Sequence, residues 1–195
     1  PRGPTPDAPA ENALLSATVL AAMRGRRVLE VACGAGTVTV EVAGMADYIL
    51  ATDITPNTLK IARENITLHN VDFLQCDAFD LGPIKGNFNA GLVAGFFHVC
   101  PYSRHREFTT SLHSKLMPGS TVFMRSSRPN SPNAKSRLFR IAGHRDQYMR
   151  RHLSDGSEYV LVDNDYSKEE LTRIFAPLST NLEVHLQPAP IRWIG

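Results

Sequence analysis

The feature that most constrains the fold of this chain is an alternation of short apolar runs with helical patterns. The runs are rich in β-branched residues, and each intervening stretch is long enough for a helix or a crossover loop. Such an alternation is typical of βαβ units, in which parallel strands are joined by crossovers. We therefore predict an α/β fold with a mostly parallel sheet and helices on both faces. The predicted strands are Arg27–Ala32, Tyr48–Thr52, Val71–Gln75, Phe88–Gly95 and Thr121–Met124.

Capping residues mark where several helices begin. Thr55 is of a residue type preferred at the N-cap, and Pro56, which follows it, is of a type preferred at the first helical position. Ser167 and Glu170 have the spacing of a capping box, and an amphipathic pattern follows them. Helices are also predicted at Glu11–Arg24, at Thr37–Met45 and around Phe108–Leu116.

The alternation stops after Met124, and residues 126–143 are polar and irregular. The dipeptide Asp155-Gly156 then separates two strand-like runs, which predicts a β-hairpin. We predict an extended lead-in at residues 1–10 and a single domain over 11–195, with an insertion at about 126–163 lying over the active edge of the sheet. The runs of the hairpin are Tyr148–Leu153 and Glu158–Val162, and later strands are predicted at Leu182–Leu186 and Ile191–Ile194.

Composition excludes several classes of protein. The chain has 195 residues, of which 43% are hydrophobic, and a net charge of +2, so it has the apolar content that disordered chains lack. It contains no apolar run of roughly 18 residues, the length needed to span a membrane. Its three cysteines are odd in number and widely spaced, which argues against a disulfide framework and favours a reduced, cytoplasmic protein.

The turn after the first predicted strand carries the chemical signal. Glu30 lies near the end of that strand, and Gly34 and Gly36 follow it. A dinucleotide-binding turn would have a third glycine where Thr39 stands, and its pyrophosphate would not favour a carboxylate beside it. Asp53 ends the next strand, 17 residues after Gly36, where a carboxylate can accept both hydroxyls of a ribose. The pattern indicates a nucleoside ligand that is cationic or carries an amine and lacks phosphates.

These residues resemble those of the class I S-adenosylmethionine-dependent methyltransferases, over about residues 27–124. Residues 28–37 are similar to the first motif of the family, 52–55 to its ribose segment, 75–79 to its adenine turn, and 88–98 to its fourth strand and loop. The resemblance implies a Rossmann-like, seven-stranded sheet whose last strand is antiparallel, for which Leu182–Leu186 is a candidate. It also implies S-adenosylmethionine (SAM) as cofactor and S-adenosylhomocysteine (SAH) as product.

The resemblance further implies roles for individual residues. Gly34 and Gly36 would bring the backbone against the methionine part, and Glu30 would shape the turn. Asp53 would accept from the ribose, and Asp77 from the adenine amino group. The full set of implied cofactor-binding residues is Glu30, Ala32, Gly34, Gly36, Asp53, Ile54, Asp77, Ala78, Phe79 and Ala94.

The methyl acceptor is expected beside the end of the fourth strand. His98 follows that strand and is the candidate base, because an unperturbed histidine titrates near pH ~6.5. Core packing is favoured for Phe96. The remaining pocket candidates are Phe97, Tyr102, Arg151, His152 and Tyr159, and the dispersed histidines suggest no metal site.

Motifs that are missing narrow the acceptor class. The loop Ala94-Gly95-Phe96-Phe97 lacks the Asn-Pro-Pro-Tyr-like motif of methyltransferases for adenine or glutamine, and Cys100-Pro101 inverts the order found in cytosine-carbon methyltransferases. The hairpin at 151–159 resembles segments of small, stand-alone bacterial methyltransferases, which implies a small-molecule acceptor. We therefore expect methylation of an O or N atom of a small molecule, with a nucleic acid disfavoured as partner and no membrane partner. The acceptor's identity and the oligomeric state do not follow from the sequence.

Two alternatives stay open at this stage. Residues 125–151 hold eight Lys and Arg against one acid, Asp146. Such a segment suits an anionic substrate or RNA, so an RNA methyltransferase is one alternative, although a solvated surface insertion is the commoner explanation. A non-catalytic protein that only binds the cofactor is the other. The chain begins at Pro1, and family members often cover the cofactor with an N-terminal helix, so a missing lid is also open.

Overall fold

A computed structural model describes residues 20–126, 137–152, 155–185 and 191–194. Five parallel strands form the centre of its main sheet, in the order β3-β2-β1-β4-β5. The predicted α/β class is confirmed, and the strand boundaries differ from the predicted ones mainly at β5, which is longer. The strands are β1 (Arg27–Val31), β2 (Tyr48–Asp53), β3 (Val71–Gln75), β4 (Phe88–Ala94) and β5 (Leu116–Ser126).

The sheet continues beyond β5 with two short strands near the C-terminus, which we number β9 (Glu183–His185) and β10 (Ile191–Ile194). The order is β5-β10-β9, and β10 is antiparallel to both neighbours. The assignment of Leu182–Leu186 as the antiparallel strand is therefore wrong, because β9 runs in the same direction as β5. A short connection can join only antiparallel neighbours, so β10 turns back between β5 and β9.

Helices cover both faces of the sheet. Four α-helices are described, together with helical residues 20–23 before β1. Successive side chains of a strand point to opposite faces, and Val28 and Leu29 accordingly enter two different apolar clusters. The predicted helix Glu11–Arg24 and the lead-in 1–10 lie mostly or wholly outside the described residues. The helices are α1 (Thr37–Ala43), α2 (Pro56–Asn65), α3 (His105–His113) and α4 (Lys168–Phe175).

The predicted capping box of α4 is confirmed. The Ser167 hydroxyl accepts from the Glu170 backbone N–H at 3.2 Å, and the Glu170 carboxylate accepts from the Ser167 N–H at 3.0 Å. These bonds satisfy backbone donors that the first turn of a helix leaves without partners. The helix then buries Leu171 and Phe175 in the same cluster as Phe108 of α3.

The segment between β5 and α4 forms a second, antiparallel sheet of three strands. These are β6 (Leu138–Arg140), β7 (Gln147–His152) and β8 (Glu158–Val162), in that order. The predicted hairpin is confirmed, since β7 pairs with β8 across the turn that contains Gly156. Strand β6 lies in a segment whose sequence has no strand pattern, and its pairing with β7 gives it its structure.

Asn164, directly after β8, forms hydrogen bonds both within the second sheet and to the loop that follows β4 of the main sheet. Its backbone N–H donates to the His98 carbonyl at 2.7 Å. Its side-chain amide donates to the Cys100 carbonyl at 3.2 Å and to Asp146 at 3.0 Å, and its oxygen accepts from the Gln147 N–H at 2.8 Å. The insertion is thereby held against the loop that follows β4.

We expect Asn164→Ala to lower the free energy of unfolding by roughly 2 kcal/mol, because buried donors and acceptors lose their partners. Urea denaturation followed by circular dichroism measures the loss. Asn57→Ala, at an exposed position of α2, is the matched control and should change stability by less than about 0.5 kcal/mol. Equal effects of the two substitutions would contradict the role assigned to Asn164.

Candidate cofactor and acceptor site

The carboxyl ends of the parallel strands bring the predicted cofactor residues to one edge of the sheet. The glycine turn follows β1, Asp53 ends β2, Asp77 follows β3, and Ala94 ends β4. Open α/β sheets bind ligands outside this edge, where the strand order reverses. Here the reversal lies between β1 and β4, which are adjacent in the sheet although β2 and β3 separate them in sequence.

The turn after β1 depends on left-handed backbone at three positions. Gly34 has φ 58° and Gly36 has φ 84°. A Cβ on Gly36 would lie 2.5 Å from the Ile66 side chain, whereas a Cβ on Gly34 would meet no atom within 4 Å. Gly36 therefore permits close packing of α2 against the turn, and Gly34 faces open space. Ala32 has φ 57° and is the only residue other than glycine with positive φ among the described residues.

Asp53 joins the end of β2 to this turn. One carboxylate oxygen accepts from the Gly34 N–H at 2.9 Å, and the other accepts from the Thr55 N–H at 2.8 Å. The carboxylate is only half-buried. Because each of its oxygens can accept more than one hydrogen bond, Asp53 retains acceptor capacity for a ligand hydroxyl.

Glu30 is buried beneath the turn, with 1% of its surface exposed. Burial raises the pKa of its carboxyl from 4.5 to about 7, and the nearby Thr39 hydroxyl offsets this in part. Even so, neither Glu30 Oε2 nor Thr39 Oγ1 has a hydrogen-bonding partner among the described residues. Two buried polar atoms thus stand unsatisfied at the turn, and a cationic group bound there would favour the ionised carboxylate.

The expected adenine side is built from the turn after β3. Asp77 accepts from the Phe79 N–H at 2.9 Å, and Ala78 is buried. The Phe79 ring lies edge-on to Phe96, at 5.7 Å between centroids. Ile54, beside Asp53, leaves 59% of its surface exposed, so an aliphatic face is available at this edge.

Arg104 is a residue of this region that the sequence analysis missed. Its guanidinium lies 3.4 Å above the centroid of the Phe79 ring, and it forms an ion pair with Glu107 at 2.7 Å. No motif marks it, because it comes from a turn before α3 that only the tertiary structure brings beside the β3 loop.

His98 lies in the short 3₁₀ turn Phe97–Val99 that follows β4, as the acceptor prediction required. Burial, and secondarily the charge of Arg151, lowers its pKa to about 4. The expectation of a titration near neutral pH is therefore corrected: the imidazole is neutral at pH 7. Its Nδ1 atom is buried and has no hydrogen-bonding partner among the described residues.

The structure corrects the expectation for one of two neighbouring aromatic residues. Phe97 has 1% of its surface exposed and packs in the core against the rings of Tyr166 and Phe175, so it has no open face toward an acceptor. Phe96, for which core packing was favoured, is half-buried and does pack against this core, with its ring centroid 5.1 Å from that of the buried Phe108. A sequence run of two phenylalanines does not reveal which one turns inward.

Tyr102 is held by α4 and the insertion. Its hydroxyl donates to Glu170 at 3.2 Å, and the Arg145 guanidinium lies 3.9 Å from its ring centroid. Burial, with the Glu170 carboxylate beside it, raises the pKa of the phenol to about 12. Tyr102 is therefore a neutral hydrogen-bond donor whose proton is already engaged.

Strand register separates the other three acceptor candidates. Arg151 lies opposite Tyr159 across the β7–β8 ladder, on the face that also carries the buried Met149. His152 lies opposite Glu158 on the other face, with Nδ1 2.9 Å from the carboxylate. The prediction that His152 contacts the acceptor is corrected, because alternate side chains of a strand point in opposite directions.

Asp163 also belongs to this region and was not predicted. It has 4% of its surface exposed, and burial raises its pKa to about 6 although Arg151 acts in the opposite direction. The available signal was its position, because Asp163 and Asn164 come directly after the apolar strand β8.

A separate cavity of about 550 Å³ lies between α3, the first half of β5 and residues 176–182. Leu116, Val122, Phe175 and Leu182 form much of its wall. It adjoins the start of β5, at the opposite end of the parallel strands from the glycine turn. It is therefore distinct from the cofactor edge.

Comparison with known proteins agrees with this geometry. A family model described as a methyltransferase domain matches residues 28–119. The solved complex of DhpI with SAH is 26% identical, with a TM-score of 0.74, and the match covers 95% of this chain and 82% of that one. The complex of DhpI with SAM and HEP is 25% identical, with a TM-score of 0.76 and coverage of 97% and 88%. A comparison with curated protein sequences found no match.

A more distant structure shares the fold alone. The glycopeptide N-methyltransferase MtfA in complex with SAM is 13% identical, with a TM-score of 0.64, and the match covers 93% of this chain and 85% of that one. The family model and the two DhpI complexes together identify this chain as a class I SAM-dependent methyltransferase. Its cofactor is SAM and its product SAH, as predicted. Among the described residues, no helix has the length and apolar character needed to cross a membrane.

Ala32→Gly should stabilise the protein by roughly 0.5–1 kcal/mol. A left-handed conformation costs a residue with a Cβ about 1–2 kcal/mol, and the greater freedom of glycine in the unfolded chain returns part of that gain. Ala35→Gly, in the same turn but without positive φ, is the matched control and should destabilise. Urea denaturation measures both, and a loss of stability in Ala32→Gly would contradict the strain.

Glu30→Gln should remove a pH dependence of stability. Because the pKa is raised in the folded state, the folded protein keeps a proton that the unfolded chain loses between pH 4.5 and about 7. Stability of the parent protein should therefore fall as pH rises through this window, by up to about 3 kcal/mol. The advantage of Glu30→Gln in denaturation experiments should grow from pH 5 to pH 8. Glu64→Gln, at the exposed end of α2, should show a flat difference, and a flat difference for both would contradict the buried carboxyl.

Proposed function

We propose that this methyltransferase transfers the methyl group of SAM to an O or N atom of a small molecule. The observation that carries the proposal is the edge of the sheet at which β1, β2, β3 and β4 end. There the glycine turn, the Asp53 carboxylate and the Asp77 turn lie beside the His98 loop, which the insertion adjoins through Asn164.

The cofactor would lie along this edge with its three parts on three loops. The open space at Gly34 suits the methionine part, with the unsatisfied Glu30 carboxyl below it. Asp53 suits the ribose, and Ile54 offers an apolar face to adenine. When bound, SAM supplies a methyl group on a sulfonium, which leaves as the neutral thioether of SAH. The residues proposed to hold it are Glu30, Ala32, Gly34, Gly36, Asp53, Ile54, Asp77, Ala78, Phe79 and Ala94.

We assign His98 a role in orienting the acceptor. A neutral imidazole can accept a hydrogen bond from an acceptor O–H or N–H, which would aim the lone pair of that atom at the methyl group. Because its pKa is lowered to about 4, His98 is a weak base at neutral pH. The proposed role is therefore mainly positional: as the carbon–sulfur bond of SAM breaks and the methyl group bonds to the acceptor atom, the proton of that atom passes to solvent water.

The basic segment supports a small-molecule acceptor better than RNA. Arg145 forms an ion pair with Glu170 at 3.5 Å, and Arg150 forms one with Glu158 at 3.7 Å. These contacts pair two of the eight cations of residues 125–151 with acids, and binding to a nucleic-acid backbone depends on cations that remain available to phosphates. The test is transfer of label from methyl-labelled SAM into a metabolite extract and into total RNA. Label in the small-molecule fraction supports the proposal, and label confined to RNA overturns it.

Asp53→Ala should weaken SAH binding by about 10-fold to 150-fold. The expected loss of 1.5–3 kcal/mol is typical for removing a charged hydrogen-bond acceptor. Isothermal titration calorimetry measures the dissociation constant, and thermal unfolding verifies that the variant is folded. Asp72→Ala removes an exposed carboxylate on β3 that pairs with Tyr48, and it should leave SAH affinity within twofold. An unchanged dissociation constant in Asp53→Ala would overturn the assigned cofactor position.

A further inference from the structure

The two neighbouring arginines of β7 face opposite sides of the second sheet. Arg150 lies on the outer face, where its guanidinium pairs with Glu158 at 3.7 Å and approaches the Phe139 ring at 5.7 Å. Arg151 lies on the inner face, opposite Tyr159 and on the same side as the buried Met149. Although Arg150 and Arg151 are adjacent in sequence, Arg150 thus forms a surface ion pair, whereas Arg151 lies on the side of the sheet that faces the body of the protein.

Arg151 has no direct polar contact within the part of the chain that the structure describes. Neither a hydrogen bond nor an ion pair within 4.0 Å is made by its guanidinium there. Asp163 is close enough for the two to influence each other, yet it lies outside ion-pair distance and has only 4% of its surface exposed. An exposed guanidinium with five donors in a planar fork is therefore available to a ligand.

The surroundings of Arg151 connect it to the proposed reaction site. The charge of Arg151 helps to lower the pKa of the His98 imidazole. The buried Nδ1 atom of that imidazole has no hydrogen-bonding partner among the described residues. Asn164 fixes the distance between the two elements, because it bonds to the His98 carbonyl and to the Gln147 N–H at the start of β7. The exposed Arg151 and the His98 turn therefore lie on elements that Asn164 joins beside the end of β4.

We propose that Arg151 binds an acidic group of the methyl acceptor, so that the acceptor is an anionic small molecule carrying a carboxylate or a phosphate-like group. The Arg151 fork would hold two oxygens of that group. Arg151 is thus a specificity-determining residue. The inference rests on the proposed function, since it assumes that the acceptor lies beside His98.

The experiment uses the SAH-loaded protein and three probes: inorganic phosphate, acetate and the neutral acetamide. Binding is followed by nuclear magnetic resonance titration, and SAH affinity is measured on the same samples. We expect at least one anion to bind saturably, with shifts confined to residues near His98 and Tyr159, and acetamide not to bind. Whichever anion binds more tightly identifies a phosphate-like or a carboxylate group.

The variants are Arg151→Gln, Arg151→Lys and the matched control Arg150→Gln. Arg151→Gln should weaken the anion at least 10-fold, Arg151→Lys should have an intermediate effect, and Arg150→Gln should stay within twofold. Equal weakening by Arg150→Gln and Arg151→Gln, or tight binding of a labelled RNA oligonucleotide that both variants reduce, would overturn the inference in favour of a general basic surface.

Failure of this inference is distinguishable from failure of the proposed function. If SAH binds but neither anion shifts residues near His98, the acidic acceptor is overturned and the cofactor site stands. If SAH itself does not bind, the proposed cofactor position fails first.

Discussion

The contact on which the rest of the site depends is the Asp53 carboxylate between two backbone N–H groups, one from Gly34 and one from Thr55. It ties the loop after β1 to the loop after β2, at the point where the sheet presents its carboxyl edge. A carboxylate can do this and still accept further hydrogen bonds, because each oxygen has two acceptor positions. The same side chain therefore fixes the shape of the turn and remains available to a nucleoside hydroxyl.

On the acceptor side, the contacts that position the residues are the hydrogen bonds of Asn164. The second sheet is joined to the main one through Asn164, which satisfies groups on both. The connection brings polar residues of two distant segments together: His98 follows β4, and Arg151 lies on β7. Burial changes the chemistry of two residues in this region, since it holds the His98 imidazole neutral and raises the pKa of Asp163. A group that resembles a catalytic base in sequence thus becomes a neutral hydrogen-bonding group in the folded protein.

The cofactor side of the site could be predicted from the sequence better than the acceptor side, for physical reasons. Strands β1 to β4, the capping box at Ser167 and the hairpin around Gly156 follow from local patterns, and each of them was predicted. Strand β6 and the direction of β9 were not, because pairing with a distant neighbour determines them. Phe97 was expected to line the acceptor pocket but lies in the core, and His152 was placed on the acceptor side, because one residue of register decides which face a side chain takes.

By itself, the sequence determined the α/β class, the glycine turn with its acids and the nucleoside chemistry that they favour, because these depend on residue types at short, fixed spacings along βα units. The tertiary structure alone decided which side chains lie together beside the end of β4 and that Arg104 stacks on Phe79. It also decided that Glu30, His98 and Asp163 have shifted pKa values. Those properties depend on burial and on contacts between segments far apart in the chain, which no local pattern encodes.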